Sequence, residues 1–334
     1  VFPTSLSQAS TWNAELMYRM GEAIALEARS QGANIGYGPV LDIAREPRWS
    51  RMEETFGEDP VLTSNLGVAF MKGMQGDTQN DGKHLFSTLK HFAAYGIPEA
   101  GHNGARANVG MRQLFSDYLP PFKKAVEEGV GTIMTSYNTI DGVPCTSNKY
   151  LLTDVLRDQW GFKGFVYSDL TSIEGIVGAR VAKDNKDAAV QALKAGLDMD
   201  LGGNAYGKNL KKAYEEGLIT MEDLDRAVAN VLRLKFRMGL FENPYVSPEQ
   251  AEQLVRSKAH KELAREVARE GIVLLKNDGV LPLKKTIGSI AVIGPNADMM
   301  YNQLGDYTAP QEREEIVTVL DGIRKAVSPS TKVN

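Results

Sequence analysis

The sequence predicts an α/β chain: part of a (β/α)8-type barrel, then a linker, then the opening of a second α/β domain. Three observations carry this. Five short apolar runs, rich in β-branched or aromatic residues and mostly opening on glycine, are each followed by an amphipathic helical pattern. Polar and charged residues gather at the carboxyl ends of those runs. After Gly239 the alternation stops, and a new strand-and-turn unit begins at Ser289.

The strand candidates are residues 36–43, 85–92, 131–138, 164–170 and 196–202. Their brevity and apolar character suit strands buried on both faces of a parallel sheet. Between them lie helical patterns. Residues 12–31 come first, with Thr11 or Asn13 as cap, and residues 60–73 follow a Gly-Glu-Asp-Pro start. Residues 111–128 contain Pro120 and Pro121 and should break there. Helical patterns at 148–160, 187–195, 207–216 and 221–237 complete the set. Regular alternation of this kind implies parallel strands joined by right-handed crossovers.

Five strands are too few to close an eight-stranded barrel. An open sheet is one solution. The preferred expectation is that about three strands precede Val1, since the chain opens without Met on Val1-Phe2-Pro3. The expected domains are therefore residues 1–245 for the barrel, 246–285 for a linker with a charged helix over 248–277, and 286–334 for the start of the second domain, cut just after a predicted helix.

Composition narrows the function. A net charge of −4 offers no case for nucleic acid or an anionic membrane surface. No apolar run approaches the roughly 18 residues of a membrane span, and no signal peptide is visible. Cys145 is the single cysteine, so no internal disulfide forms. His84, His102 and His260 show no metal-ligand spacing, and Gly36-x-Gly38 lacks the rest of a nucleotide loop. No cofactor is expected.

Ligands of parallel α/β folds bind at the carboxyl ends of the strands. There the sequence places Lys90-His91-Phe92, Ser136-Tyr137-Asn138, Ser168-Asp169, and Asp198 with Asp200. A dense polar run, Arg45 to Glu54, follows the first strand. Cations facing a carboxylate keep it ionised, and an ionised, positioned carboxylate is what attack on an anomeric carbon requires. Lys, Arg and His donors around it can bind several sugar hydroxyls.

These stretches resemble glycoside hydrolase family 3. The resemblance spans essentially the whole chain. It rests on Phe2-Pro3; Gly38-Pro39-Val40-Leu41-Asp42; the Arg-x-Pro-Arg-Trp-x-Arg-x-x-Glu run from Arg45 to Glu54 with Phe56-Gly57-Glu58-Asp59-Pro60; Lys90-His91-Phe92; Met134 to Asn138; and Gly161 to Asp169. The resemblance implies a retaining exo-β-glycosidase, a β-glucosidase first and a β-xylosidase second, acting on β-linked oligosaccharides or glycosides, and periplasmic or secreted. It implies Asp169 as nucleophile, Arg51, Lys90 and His91 as ligands of the terminal sugar, and Tyr137 beside the nucleophile. Gly294-Pro295-Asn296-Ala297 resembles the start of the family's α/β sandwich, which carries the acid/base Glu beyond Asn334. The chain departs from the family pattern at Leu170, where many members have Trp, and in its Ala93-Ala94-Tyr95-Gly96 loop, which disfavours N-acetylglucosaminides.

Each of these residues has a plainer reading. Asp169 could cap the next helix, Lys90 and His91 could be a core ion pair and a satisfied core histidine, and Arg51 could bridge to Glu53, Glu54 or Glu58. Tyr137 is evenly balanced between core packing and site contact. Trp49 and Arg48 read as structural, and Asp198 and Asp200 as holding cations in place. A Schiff-base aldolase using Lys90 and a sugar-binding fragment without turnover are the competing functions.

Overall fold

The computed structural model describes residues 2–305 and 307–334. Two compact units emerge: Ser5–Gly271, and a smaller one made of residues 2–4 with Ile272–Asn334. No described helix is long and apolar enough to cross a membrane.

The larger unit opens with helices α1 (Ser5–Ala9) and α2 (Ala14–Ser30). Asn13 caps α2 by accepting from the Leu16 N–H, as its position before the apolar period requires. Strand β1 (Ile35–Gly36) and helix α3 (Pro60–Gln75) follow, α3 capped by Asp59 with proline in its first turn. The backbones of α2 and α3 meet at two glycines. A Cβ on Gly73 would collide with the Tyr18 carbonyl oxygen, and one on Gly21 with that of Phe70.

Strand β2 (Phe86–Phe92) is the longest. After it come a short helix α4 (Met111–Gln113), a π-helical turn through Tyr118, and α5 (Pro120–Glu127). The break falls at Pro120, the residue that cannot donate to the preceding turn. Strand β3 (Thr132–Thr135) leads into a small hairpin absent from the sequence reading, β4 (Thr139–Ile140) paired antiparallel with β5 (Val143–Pro144) around Asp141-Gly142. The next helical segment, Tyr150–Gln159, is π-type, closing with Trp160 N–H donating to the Val155 carbonyl. Strand β6 (Phe165–Tyr167) precedes α6 (Ser172–Gly178), α7 (Asn185–Ala195), α8 (Ala205–Glu215) and α9 (Met221–Arg237). A Thr220/Asp223 capping box starts α9 at the expected residue.

The sheet runs β1-β2-β3-β6, all parallel. Met199 bridges to Tyr167 in parallel register, so the fifth expected strand survives as one bridge rather than a run over 196–202. The first is likewise short: only Ile35–Gly36 ladders, with Val40 rejoining beside Lys90. Cis Gly38-Pro39 lies between them, and a proline has no N–H for the ladder. One face of the sheet carries Phe86, Met134, Phe165 and Tyr167, packed with Leu234 and Met238 of α9. Higher on that face a polar belt joins Thr88 Oγ1 to Thr132 Oγ1 at 2.7 Å and to the Tyr167 hydroxyl at 2.5 Å.

The expected charged helix over 248–277 is two helices, α10 (Pro248–Leu254) and α11 (Lys258–Glu270). Arg256 between them has a left-handed φ of 58°, and Ser257 caps the second. α10 and α11 pack against α2, so residues up to Gly271 fall with the larger unit.

The smaller unit pairs β7 (Ser289–Ile290) in parallel with β8 (Lys332–Val333). Helix α12 (Val319–Ala326) makes the crossover, started by a Thr318/Asp321 capping box. A helix thus precedes the last residues as expected, and these form the short strand β8.

Candidate active site

Asp169 lies just past β6, and its carboxylate is buried. Oδ1 accepts from the Tyr137 hydroxyl at 2.9 Å and from the Leu170 N–H at 2.7 Å. Oδ2 is buried and accepts no hydrogen bond among the described residues; His91 Nε2 stands 3.6 Å from it. Helix capping does not explain Asp169. The residue before α6 is Thr171, and no side chain caps that helix.

The end of β2 brings the cations in. The ladder with β3 slips between Leu89 and Phe92. Strict alternation ends there, so the consecutive side chains of Lys90 and His91 can both serve the same site. Burial pushes the Lys90 ammonium down from its usual range, against the pull of Glu54, Asp169 and Asp42. His91 is fully enclosed: Nδ1 is 2.7 Å from Asp42 Oδ2, which also accepts the His91 backbone N–H at 3.1 Å. Burial, with Arg51 and Lys90 nearby, holds the imidazole well below its ordinary pKa and therefore neutral.

Arg51 does two things at once. Its guanidinium grips Glu54 through Nε at 2.6 Å and Nη2 at 2.8 Å, and Nη2 also reaches His91 Nε2 at 3.1 Å. The salt bridge to Glu54 is thus present, and the same guanidinium also reaches the histidine at the end of β2. Behind this cluster, Tyr95 sets its ring edge-on to His91 with centroids 4.9 Å apart. Its hydroxyl donates to Asn103 Oδ1 at 2.7 Å, an oxygen that also takes the Trp49 indole N–H at 2.9 Å. Trp49 is buried against Tyr95, as its packing role predicts. The run holding Arg51 is tied down by Arg45 and Glu46 N–H groups donating to the Gly96 carbonyl. Gly96 leaves no room for a side chain, since a Cβ there would meet the Ile43 carbonyl.

The structure thus brings Asp169, Tyr137, His91, Arg51 and Lys90 to one place at the carboxyl end of the sheet. Asp198 does not join them. Its carboxylate holds Arg157 at 2.5 Å and Asn230 at 3.0 Å and accepts the Val166 N–H, a structural knot. Asp200 caps the turn into α8 through the Tyr206 N–H. Arg48 pairs with Glu46 at the surface. Among the described residues no group of three His, Cys, Asp or Glu side chains could hold a metal ion.

Residues 1–234 match the glycosyl hydrolase family 3 N-terminal domain, and residues 272–333 match that family's C-terminal domain. The chain belongs to glycosyl hydrolase family 3. This family 3 chain is 42% identical over its whole length to a periplasmic β-glucosidase of Salmonella typhimurium, of which it covers 44%. It is 38% identical to a β-xylosidase of Formosa agariphila, again over all of this chain and 49% of that one. Among solved structures, a β-glucosidase from Listeria innocua superposes with a TM-score of 0.95 at 34% identity, covering this chain entirely and 46% of its own length; that enzyme has also been solved with glucose bound. The family 3 chain therefore spans about half the length of the curated relatives it matches.

Sequence reading missed one member of the cluster, Asp42, as the partner of His91; Glu54 is one of the three partners it offered for Arg51. Asp42 had a visible signal: a lone carboxylate inside the apolar run Val40-Leu41-Asp42-Ile43. A charge buried there needs a partner, but which partner is a matter of tertiary contact.

Proposed function

We propose that this chain carries the catalytic barrel of a retaining exo-β-glycosidase that removes terminal β-D-glucosyl residues through a covalent glycosyl-Asp169 intermediate. The observation that carries the reading is the state of Asp169: one oxygen held by Tyr137 and Leu170, the other without a hydrogen bond and 3.6 Å from His91 Nε2, with the Lys90 charge acting on the same carboxylate. Asp169 Oδ2 attacks the anomeric carbon and forms an acylal ester as the bond to the leaving oxygen breaks. Water later cleaves that ester and releases the sugar. Arg51, Lys90 and His91 bind the hydroxyls of the terminal sugar in this reading, and Tyr137 orients the nucleophile.

Retaining chemistry also needs a proton donor roughly 5–5.5 Å across from the nucleophile. Several carboxyls of the barrel region are already engaged. Glu54 is gripped by Arg51, Asp42 by His91 and Glu46 by Arg48, while Glu174 accepts the Asn204 N–H. We therefore assign the acid/base to a part of the full-length protein beyond Asn334. We propose that the full-length protein acts in the periplasm or outside the cell, a reading the name of the Salmonella relative supports.

A 2-deoxy-2-fluoro-β-glucoside incubated with full-length protein tests the reading. Mass spectrometry should find the label on the peptide containing Tyr167-Ser168-Asp169. A label on another carboxylate overturns the assignment. An aryl-glycoside panel then decides the sugar, and turnover of xylosides in preference to glucosides replaces the first substrate with the second.

A further inference from the structure

We propose that Asp42 is a positioning residue that fixes His91 as its Nδ1–H tautomer, keeping Nε2 a pure acceptor and the facing oxygen of Asp169 unmasked. The geometry leaves one arrangement of protons. Arg51 is always protonated and has no acceptor. Its Nη2 lies 3.1 Å from His91 Nε2, so the imidazole nitrogen there must offer a lone pair. A neutral ring then carries its proton on Nδ1, and Asp42 Oδ2, at 2.7 Å, accepts it. The same oxygen accepts the backbone N–H of His91 at 3.1 Å. One carboxylate oxygen thereby holds both the ring and the peptide that bears it, while Tyr95 meets the ring edge-on. An imidazolium would put an N–H against the Arg51 guanidinium, with Lys90 adding a second like charge, so the doubly protonated ring is excluded as well.

The consequence falls on Asp169. Its Oδ2 is 3.6 Å from His91 Nε2. With the lone pair on Nε2, two acceptors face each other and no hydrogen bond forms between them. With a proton on Nε2, the ring would donate to Oδ2 and draw off the electron pair needed for attack. Asp42 bonds to His91 and acts on that oxygen through the histidine. This part of the inference, the effect on turnover, rests on the glycosidase reading. The tautomer itself does not.

Both are testable on full-length protein labelled with 15N-histidine. Long-range 1H–15N correlation spectra report the tautomer of each ring, and the spectrum of His91→Gln identifies the His91 signals. Wild type should show a protonated Nδ1 and an unprotonated Nε2. Asp42→Ala should lose that pattern and lower kcat about tenfold to a hundredfold with a smaller change in KM. Asp42→Asn keeps an acceptor oxygen and should restore the pattern and part of the rate. A wild-type ring protonated on Nε2 overturns the proposal, as does an Asp42→Ala protein with the wild-type pattern. If Asp42→Ala does not fold, wild type and Asp42→Asn decide alone: loss of the pattern in Asp42→Asn counts against it. Absence of any glycosidase turnover in wild type would defeat the functional reading, while the spectra still judge the tautomer.

Discussion

The Tyr137 hydroxyl donates to Asp169 Oδ1 at 2.9 Å, and this bond joins the ends of two neighbouring parallel strands. It holds the carboxylate by one oxygen and leaves the other turned to His91. Burial and the Asp169 charge keep the tyrosine protonated, with its pKa well above the usual value. Tyr137→Phe should therefore keep the fold and lose the donor. We expect kcat/KM of the full-length enzyme to fall by about 1.5–3 kcal/mol in transition-state terms, the range for a hydrogen bond to a charged group. A change below threefold would show that the bond does not orient the nucleophile.

Asp169→Ala should abolish turnover, by roughly 10³-fold or more, with little loss of stability. The carboxylate's free oxygen contributes no hydrogen bond to the fold, and the Leu170 N–H it leaves behind sits at a half-exposed turn. Urea unfolding of the variant beside wild type, with the rate assay, separates the two effects.

Arg51 and Glu54 form a bidentate pair whose side chains are 10% and 11% exposed. Removing one partner strands the other's charge, at a cost of about 3 kcal/mol for a well-buried pair. Arg51→Met should accordingly destabilise more than Arg51→Met combined with Glu54→Gln. A double-mutant cycle in urea checks this, and strictly additive losses would show that the pair is not coupled.

Neutral, buried His91 makes the fold sensitive to acid. Its folded pKa lies well below the ordinary histidine value of about 6.5, so below that pH the unfolded chain takes up a proton that the native site refuses. The contribution is complete above about pH 6.5 and is lost as pH falls, by at most about 1.4 kcal/mol per unit. His91→Asn should lose less stability than wild type between pH 7.5 and pH 5. An equal or larger loss in the variant would mean that His91 is charged in the native protein.

Gly73 faces the Tyr18 carbonyl across the contact of α2 and α3. Gly73→Ala should push the helices apart and cost about 1–3 kcal/mol, despite alanine's better helix propensity. A gain in Tm would refute so close an approach.

The caps Asn13 and Asp59 were legible because capping is local: each acts within three residues of itself. The same holds for the break at Pro120. The 248–277 helix was overrun because its interruption is a single left-handed Arg256, which no composition signal marks. The hairpin around Asp141-Gly142 lies between the strand expected over 131–138 and the helix expected over 148–160, and strands of two residues are too short to show a period.

By itself, the sequence determined the parallel α/β class, the strand ends that bear Lys90, His91, Tyr137 and Asp169, and the family those motifs resemble. All of these follow from periodicity and short motifs, which are properties of neighbouring residues. Tertiary structure alone decided which groups meet. Arg51 reaches His91 across 40 positions, Asp42 reaches it across 49, and Tyr137 reaches Asp169 across 32. Such pairings depend on strand register and on the slip between Leu89 and Phe92. A one-residue change of register turns a side chain to the opposite face, so no local pattern contains the information that places the free oxygen of Asp169 beside His91.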